Sequence, residues 1–275
     1  GSPVRTAPFP RYNSIGTEEK RAVMEVLQDG YLSQFLGTWS KEFHGGPRVL
    51  KLEREWVEYF GVNHAVAMNS GTSALYAALG AAKVGPADEV IVTPYTMTAS
   101  VAGVLLYGAI PVFSDIDPET YCLSARAIEK VLSPRTKAVV VVDLFGHPAD
   151  FDEIFRIAQA HNLTIIEDAA QAPGGKYKGA WTGGLGHIGV FSLNYHKTIH
   201  CGEGGIAVTN DDNLADRLRL IRNHGEAVIK DKGDQQHADI IGFNYRMTEI
   251  EASIASEQLK KLEGLTQPRI EAAEF

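Results

Sequence analysis

A chain of 275 residues with 44% hydrophobic content can bury a large core, as one large domain or two small ones. Its net charge of −8 argues against general attraction to nucleic acid or an anionic membrane surface, so an anionic ligand needs locally placed cations and helix N-termini. Cys122 and Cys201 lie far apart without metal-like spacing, which argues against a disulfide framework or a metal site; no apolar run reaches membrane-spanning length, and a reducing cytoplasm is the expected location.

In chain order, Gly1-Ser2 reads as a cleavage scar heading an extension over residues 1–13. Residues 17–28 predict a helix, with an N-cap before it and glutamates two and three residues on. Residues 36–48, rich in glycine and aromatics and without periodicity, read as a long loop in which Trp39, Phe43 and His44 either meet a sugar or cover the core. An apolar strand over 65–68 then leads through Ser70-Gly71-Thr72 into an Ala/Leu-rich helix over 72–82. Strands over 89–92, 111–113, 138–142 and 163–166 alternate with helices over 96–107, 125–132 and 151–160. Such alternation predicts right-handed crossovers and an α/β fold: three α/β/α layers around a mostly parallel sheet, with ligands at the carboxyl ends of its strands.

Three groups fall at those ends. The turn before the helix at 72 is either a capped turn or a phosphate cradle of backbone N–H groups at a positive helix end. Asp168, directly after an apolar run, is either an N-cap for Ala169-Ala170 or a buried carboxylate that keeps a pyridine nitrogen protonated. Lys197, in Ser192-Leu193-Asn194-Tyr195-His196-Lys197 before Gly202-Glu203-Gly204-Gly205, brings an amine to a separate strand end. An amine, a carboxylate and a phosphate cradle are what pyridoxal 5'-phosphate requires. Glu203 reads as solvated or as close to a cofactor, and His196 as a neighbour in sequence without a necessary role.

Ser70 to Leu75, then Glu167-Asp168-Ala169-Ala170-Gln171, then Phe191-Ser192 with Lys197 and Gly202 to Gly205, then Arg222-Asn223-His224-Gly225, then Asn244-Tyr245-Arg246-Met247-Thr248-Glu249 follow in order. From about Ser14 to the end the chain resembles the DegT/DnrJ/EryC1/StrS aminotransferases. The resemblance implies a fold-type I pyridoxal phosphate enzyme that aminates a keto sugar, usually nucleotide-linked, with glutamate or glutamine as donor. It makes Lys197 the Schiff-base lysine and Asp168 the partner of the pyridine nitrogen, and brings Gln171 to the phenolic oxygen. Gly71, Thr72 and Ser192 would bind the phosphate, and Asn244 would reach the phosphate of a neighbouring subunit, which implies a homodimer.

Two departures stand out. Met97, in Thr93-Pro94-Tyr95-Thr96-Met97-Thr98, occupies the place where the family stacks an aromatic ring on the cofactor; its thioether can pack there, or Tyr95 can substitute. Family members also continue into a smaller C-terminal domain, so the reading is a large cofactor-binding domain over 14–260 and, over 261–275, the start of a connection to a domain largely absent. Related dehydratases carry a histidine where Lys197 stands, so the lysine favours transamination. The alternatives are action on a keto-cyclitol, a lyase or desulfurase using the same lysine, and a regulatory protein that keeps the fold without catalysis.

Overall fold

The computed structural model describes residues 2, 4–8, 12–233 and 237–274. The remaining residues, among them Gly1 of the expected scar and Phe275 of the expected connection, lie outside the described set. Helices α1 (Thr17–Asp29) and α2 (Pro47–Phe60) precede β1 (His64–Met68) and α3 (Gly71–Ala81). The middle alternates: β2 (Glu89–Val92), α4 (Ala99–Leu106), β3 (Ile110–Phe113), α5 (Ala125–Val131), β4 (Thr136–Val142), α6 (Phe151–His161) and β5 (Thr164–Asp168). A small hairpin, β6 (Lys176–Tyr177) and β7 (Ala180–Trp181), is followed by β8 (Ile188–Ser192), β9 (Gly205–Thr209), α7 (Asp212–Arg222), α8 (Ile229–Lys232), α9 (Glu249–Leu259) and α10 (Leu262–Glu274).

Seven strands form one sheet in the order β1-β9-β8-β5-β4-β2-β3. The pairs from β8 through β5, β4 and β2 to β3 are all parallel, and only β9 reverses, running antiparallel to both of its neighbours. The α/β expectation with a mostly parallel sheet is therefore met, and the strands at 89, 111, 138 and 163 appear within one or two residues of their expected bounds.

Alternation along the strands explains the layers. In β1, Val66 and Met68 join the core shared with α3, whereas Ala65 and Ala67 join a second core with Leu52 and Trp56 of α2 and Ala252 and Ala255 of α9. Burying apolar side chains on both faces requires helices on both. Arg222, fully buried at the end of α7, ties these layers: it donates to Glu53 Oε1 at 2.5 Å, to the Ala67 carbonyl at 3.1 Å and to the His44 carbonyl at 3.2 Å.

Two sequence readings need correction. The supposed loop over 36–48 contains a 3-10 helix, Lys41–His44, and the first two residues of α2, which begins with Pro47 at its N-terminus. Phe43 there is fully buried and covers the core, while Trp39 stays 42% exposed. Helix α4 starts at Ala99, not at 96, because residues 93–97 form a turn in which the Tyr95 N–H donates to Thr93 Oγ1 at 3.1 Å.

Candidate active site

The site forms where α3, α4, β4, β5 and β8 end or begin at one edge of the sheet. Ser70 caps α3 through its hydroxyl, which accepts from the Ser73 N–H at 3.0 Å. The next amides, of Gly71 and Thr72, have no acceptor inside the helix and lie at its positive end. Glycine is required here by proximity: a Cβ on Gly71 would fall 2.8 Å from Ser192 Cβ, and one on Gly205 would fall 2.3 Å from the Ser70 carbonyl oxygen. The turn, the end of β8 and the start of β9 thus meet at backbone distance.

Asp168 ends β5 and is 5% exposed. Its Oδ2 accepts from Ser100 Oγ at 2.8 Å and its Oδ1 from the Ala170 N–H at 3.2 Å. Burial pushes the carboxyl above its ordinary range, against the pull of Ser100, the Ala170 N–H and the Lys197 charge. The N-cap reading fails, because no helix follows: residues 169–175 form successive turns in which Ala172 donates to Ala169 and Gly175 to Ala172, both at 3.0 Å. Gln171 therefore sits on a turn, with Oε1 accepting the Phe145 N–H at 2.9 Å.

Lys197 lies on the loop between β8 and β9, held by its own N–H donating to the Asn194 carbonyl at 2.9 Å. It is half-buried, and burial holds its ammonium below the ordinary lysine range although the Asp168 charge pulls the other way. Ser192 Oγ accepts the Asn194 N–H at 3.3 Å, and Asn194 Nδ2 donates to Glu203 at 2.9 Å, so Glu203 braces this loop. His196 is exposed and stacks on Tyr195 with centroids 3.7 Å apart. A cavity of about 850 Å³ adjoins the loop, lined by Tyr195, His196, His200 and Arg269 among others.

Gly71, Thr72, Ser192, Asp168, Lys197 and Gln171 thus gather at one strand-end edge. Met97 and Tyr95 are 67% and 48% exposed just before α4, and the Met97 carbonyl accepts the Ser100 N–H at 3.1 Å. Asn244 is exposed; its backbone bridges Asn223, and its carbonyl accepts from Asn69 Nδ2 at 3.5 Å. Ser100 escaped the sequence reading because a hydroxyl in the first turn of a helix carries no signal until that helix is docked against β5.

Comparison with known proteins gives the family. The model of the DegT/DnrJ/EryC1/StrS aminotransferase family matches residues 13–275. A GDP-perosamine synthase of Caulobacter vibrioides is 44% identical over 218 residues, covering 79% of this chain and 58% of that protein. An aminotransferase structure from Psychrobacter cryohalolentis superposes with a TM-score of 0.83 at 37% identity, covering 94% of this chain and 65% of that one. Helicobacter pylori PseC, an aminotransferase of pseudaminic acid biosynthesis, superposes with a TM-score of 0.81 at 33% identity, covering 94% and 67%. The chain spans 58% of the length of that curated relative. With the match running over nearly every residue, the chain belongs to the DegT/DnrJ/EryC1/StrS aminotransferase family, whose members depend on pyridoxal 5'-phosphate.

Proposed function

We propose that the chain is the cofactor-binding part of an aminotransferase that carries an amino group from glutamate or glutamine to a nucleotide-linked keto sugar. One observation carries this reading. Asp168 is buried with two hydrogen-bond donors and, among the described residues, no salt-bridge partner. A buried carboxylate without a paired cation is costly. The protonated ring nitrogen of pyridoxal phosphate is a cation of the right kind, so the residues fit the cofactor.

When bound, pyridoxal phosphate supplies an aldehyde that condenses with amines and a ring that withdraws electrons from the bond being broken. The Gly71 and Thr72 amides with Ser192 Oγ would hold its phosphate at the positive end of α3. Asp168 would keep the proton on the ring nitrogen. Gln171 has its carbonyl oxygen committed to Phe145, which leaves its NH2 group as the donor to the phenolic oxygen. Met97 would cover the ring face, with Tyr95 as the alternative.

Lys197, with its ammonium destabilised by burial, supplies a free amine more readily than an exposed lysine would. Its Nζ serves as nucleophile and then as the base that takes the proton from the α-carbon of the amino donor. Donor and acceptor use the same groups in turn, so ping-pong kinetics follow. The GDP-perosamine synthase relative supports a GDP-linked keto sugar as acceptor, and Arg269 beside the lysine loop offers a cation to its diphosphate.

Exposed Asn244 would complete the site of a second copy in a homodimer. The large domain would span 14–260, with α10 leading towards a smaller one. The cytoplasm is the location in keeping with two unpaired cysteines and, among the described residues, no helix long and apolar enough to cross a membrane.

The test is incubation of the chain with pyridoxal phosphate, glutamate and a GDP-linked keto sugar. The expected outcome is amino sugar and 2-oxoglutarate in equal amounts. Sulfide release from cysteine in their place would make the protein a desulfurase, and neither product with no visible cofactor absorbance would make it a non-catalytic relative.

A further inference from the structure

Directly behind Asp168 lie two acids that the proposed reaction does not use. Asp143 follows β4 and Glu167 is the penultimate residue of β5; both are 0% exposed. Val142 pairs with Asp168 across β4 and β5, and the Asp143 N–H donates to the Asp168 carbonyl at 3.1 Å, so three carboxyls occupy adjacent strand ends.

The two acids are served differently. Glu167 accepts three backbone N–H groups from one loop: Gly183, Leu185 at 2.7 Å and Gly186 at 2.9 Å. Glycine at 183 is required for this loop, since its φ is +87° and a Cβ there would collide with the Phe191 ring. Asp143 Oδ1 receives a single long bond from the Ala149 N–H at 3.4 Å, and Oδ2 is buried with no donor among the described residues. Since Val142 pairs with Asp168 and Val141 with Glu167, strand alternation puts Asp143 and Glu167 on the same face of the sheet, and the Glu167 carboxyl acts on that of Asp143.

Two neighbouring carboxylate anions, both fully buried, repel strongly. One shared proton converts that repulsion into an O–H···O hydrogen bond. We propose that Asp143 holds this proton at neutral pH, donating from Oδ2 to an ionised Glu167, and that it is a positioning residue which leaves one negative charge, not two, next to Asp168. Three N–H donors favour the anion on Glu167, and nothing comparable does so on Asp143.

Burial pushes both carboxyls up; on Asp143 the Glu167 charge pushes the same way, whereas on Glu167 the Asp143 hydroxyl and the loop amides pull back. The other groups facing the pair are Asp168 on β5, Lys197 acting through Asp168, and the thiol of Cys122 before α5, itself pushed up by burial. An ionised Asp143 would raise the proton affinity of Asp168 and weaken the anion that faces the ring nitrogen. That consequence rests on the proposed function; the location of the proton does not.

The test needs neither turnover nor added cofactor. In infrared spectra of the purified chain with isotope-labelled aspartate, a protonated carboxylic carbonyl band at neutral pH, shifted in D2O and missing from Asp143→Asn, is the expected result. Stability gives a second readout. The folded pKa of Asp143 is raised, so its contribution is full below the unfolded value and is lost as pH rises towards the folded one. Within that window each pH unit lowers the folding equilibrium constant of the wild type about tenfold relative to Asp143→Asn. Absence of the band from the wild type, its survival in Asp143→Asn with loss in Glu167→Gln, or parallel pH profiles for wild type and Asp143→Asn would overturn the proposal.

Discussion

The strand-end cluster and the rim around it are built on different terms. Asp168 and Ser192 are buried, and Gly71 is fixed by contacts a methyl group would break, so the sheet itself sets their geometry. Met97, Tyr95 and Asn244 are exposed and hang on turns and on an isolated bridge. A position fixed by the core keeps its chemistry in one chain, whereas an exposed group becomes functional only when a ligand or a second subunit covers it. The division predicts that variants at the strand ends act at once on chemistry, and variants at the rim act through assembly.

The largest effect falls on the lysine. Lys197→Ala should abolish turnover of glutamate while leaving the fold intact, which steady-state kinetics with circular dichroism would check; residual turnover above background would break the account of the cluster. Asp168→Asn should fold and still accept the cofactor but slow transamination by several orders of magnitude, because an amide carries no charge to stabilise the protonated ring. Single-turnover rates near those of the wild type would reduce Asp168 to a packing residue.

The rim is sharpened by mixing. An Asn244→Ala chain should be strongly impaired, and so is Lys197→Ala, yet their mixed dimers should recover activity because one of the two sites joins an intact lysine with an intact partner asparagine. Activity that stays flat after subunit exchange has been verified by mass would place Asn244 within its own chain. Cofactor affinity should also fall on dilution of the dimer, since a ligand held by two chains stabilises the assembly that binds it.

The smallest effect belongs to a buried carboxylate that belongs to neither group and tests the packing of the helices. Glu19 accepts from Gln258 Nε2 at 2.7 Å, Lys261 Nζ at 2.6 Å and the Gly16 N–H at 2.7 Å, and fastens α1 to α9 and to the turn before α10. Burial opposes its charge, but these donors hold its pKa down at about 2, against 4.5 for a free carboxyl. A depressed folded pKa means stability present above the unfolded value and lost as pH falls towards the folded one. Glu19→Gln should cost about 3 kcal/mol in urea unfolding at neutral pH, with the difference shrinking in acid.

Legibility in the sequence followed the same division. Strands β1 to β5 and the Ser70-Gly71-Thr72 turn were readable because short apolar runs and glycine punctuation are local signals, whereas β6 to β9 were not placed. Helix α2 was hidden behind an irregular aromatic loop, and a helix cap stayed open as an alternative for Asp168 because Ala169-Ala170 looks helical when its turn geometry is unseen. Ser100 and Asp143 could not have been found, since each matters only through a partner 68 or 24 residues away that the sheet brings alongside.

The claim that Lys197 is the reactive amine is tested most directly by reducing the cofactor-loaded protein with borohydride and mapping the labelled peptide. The account predicts the label on Lys197, half-buried and within the field of Asp168. A label on Lys176, which lies over the Trp181 ring, or on Lys178, paired with Asp152, would contradict it.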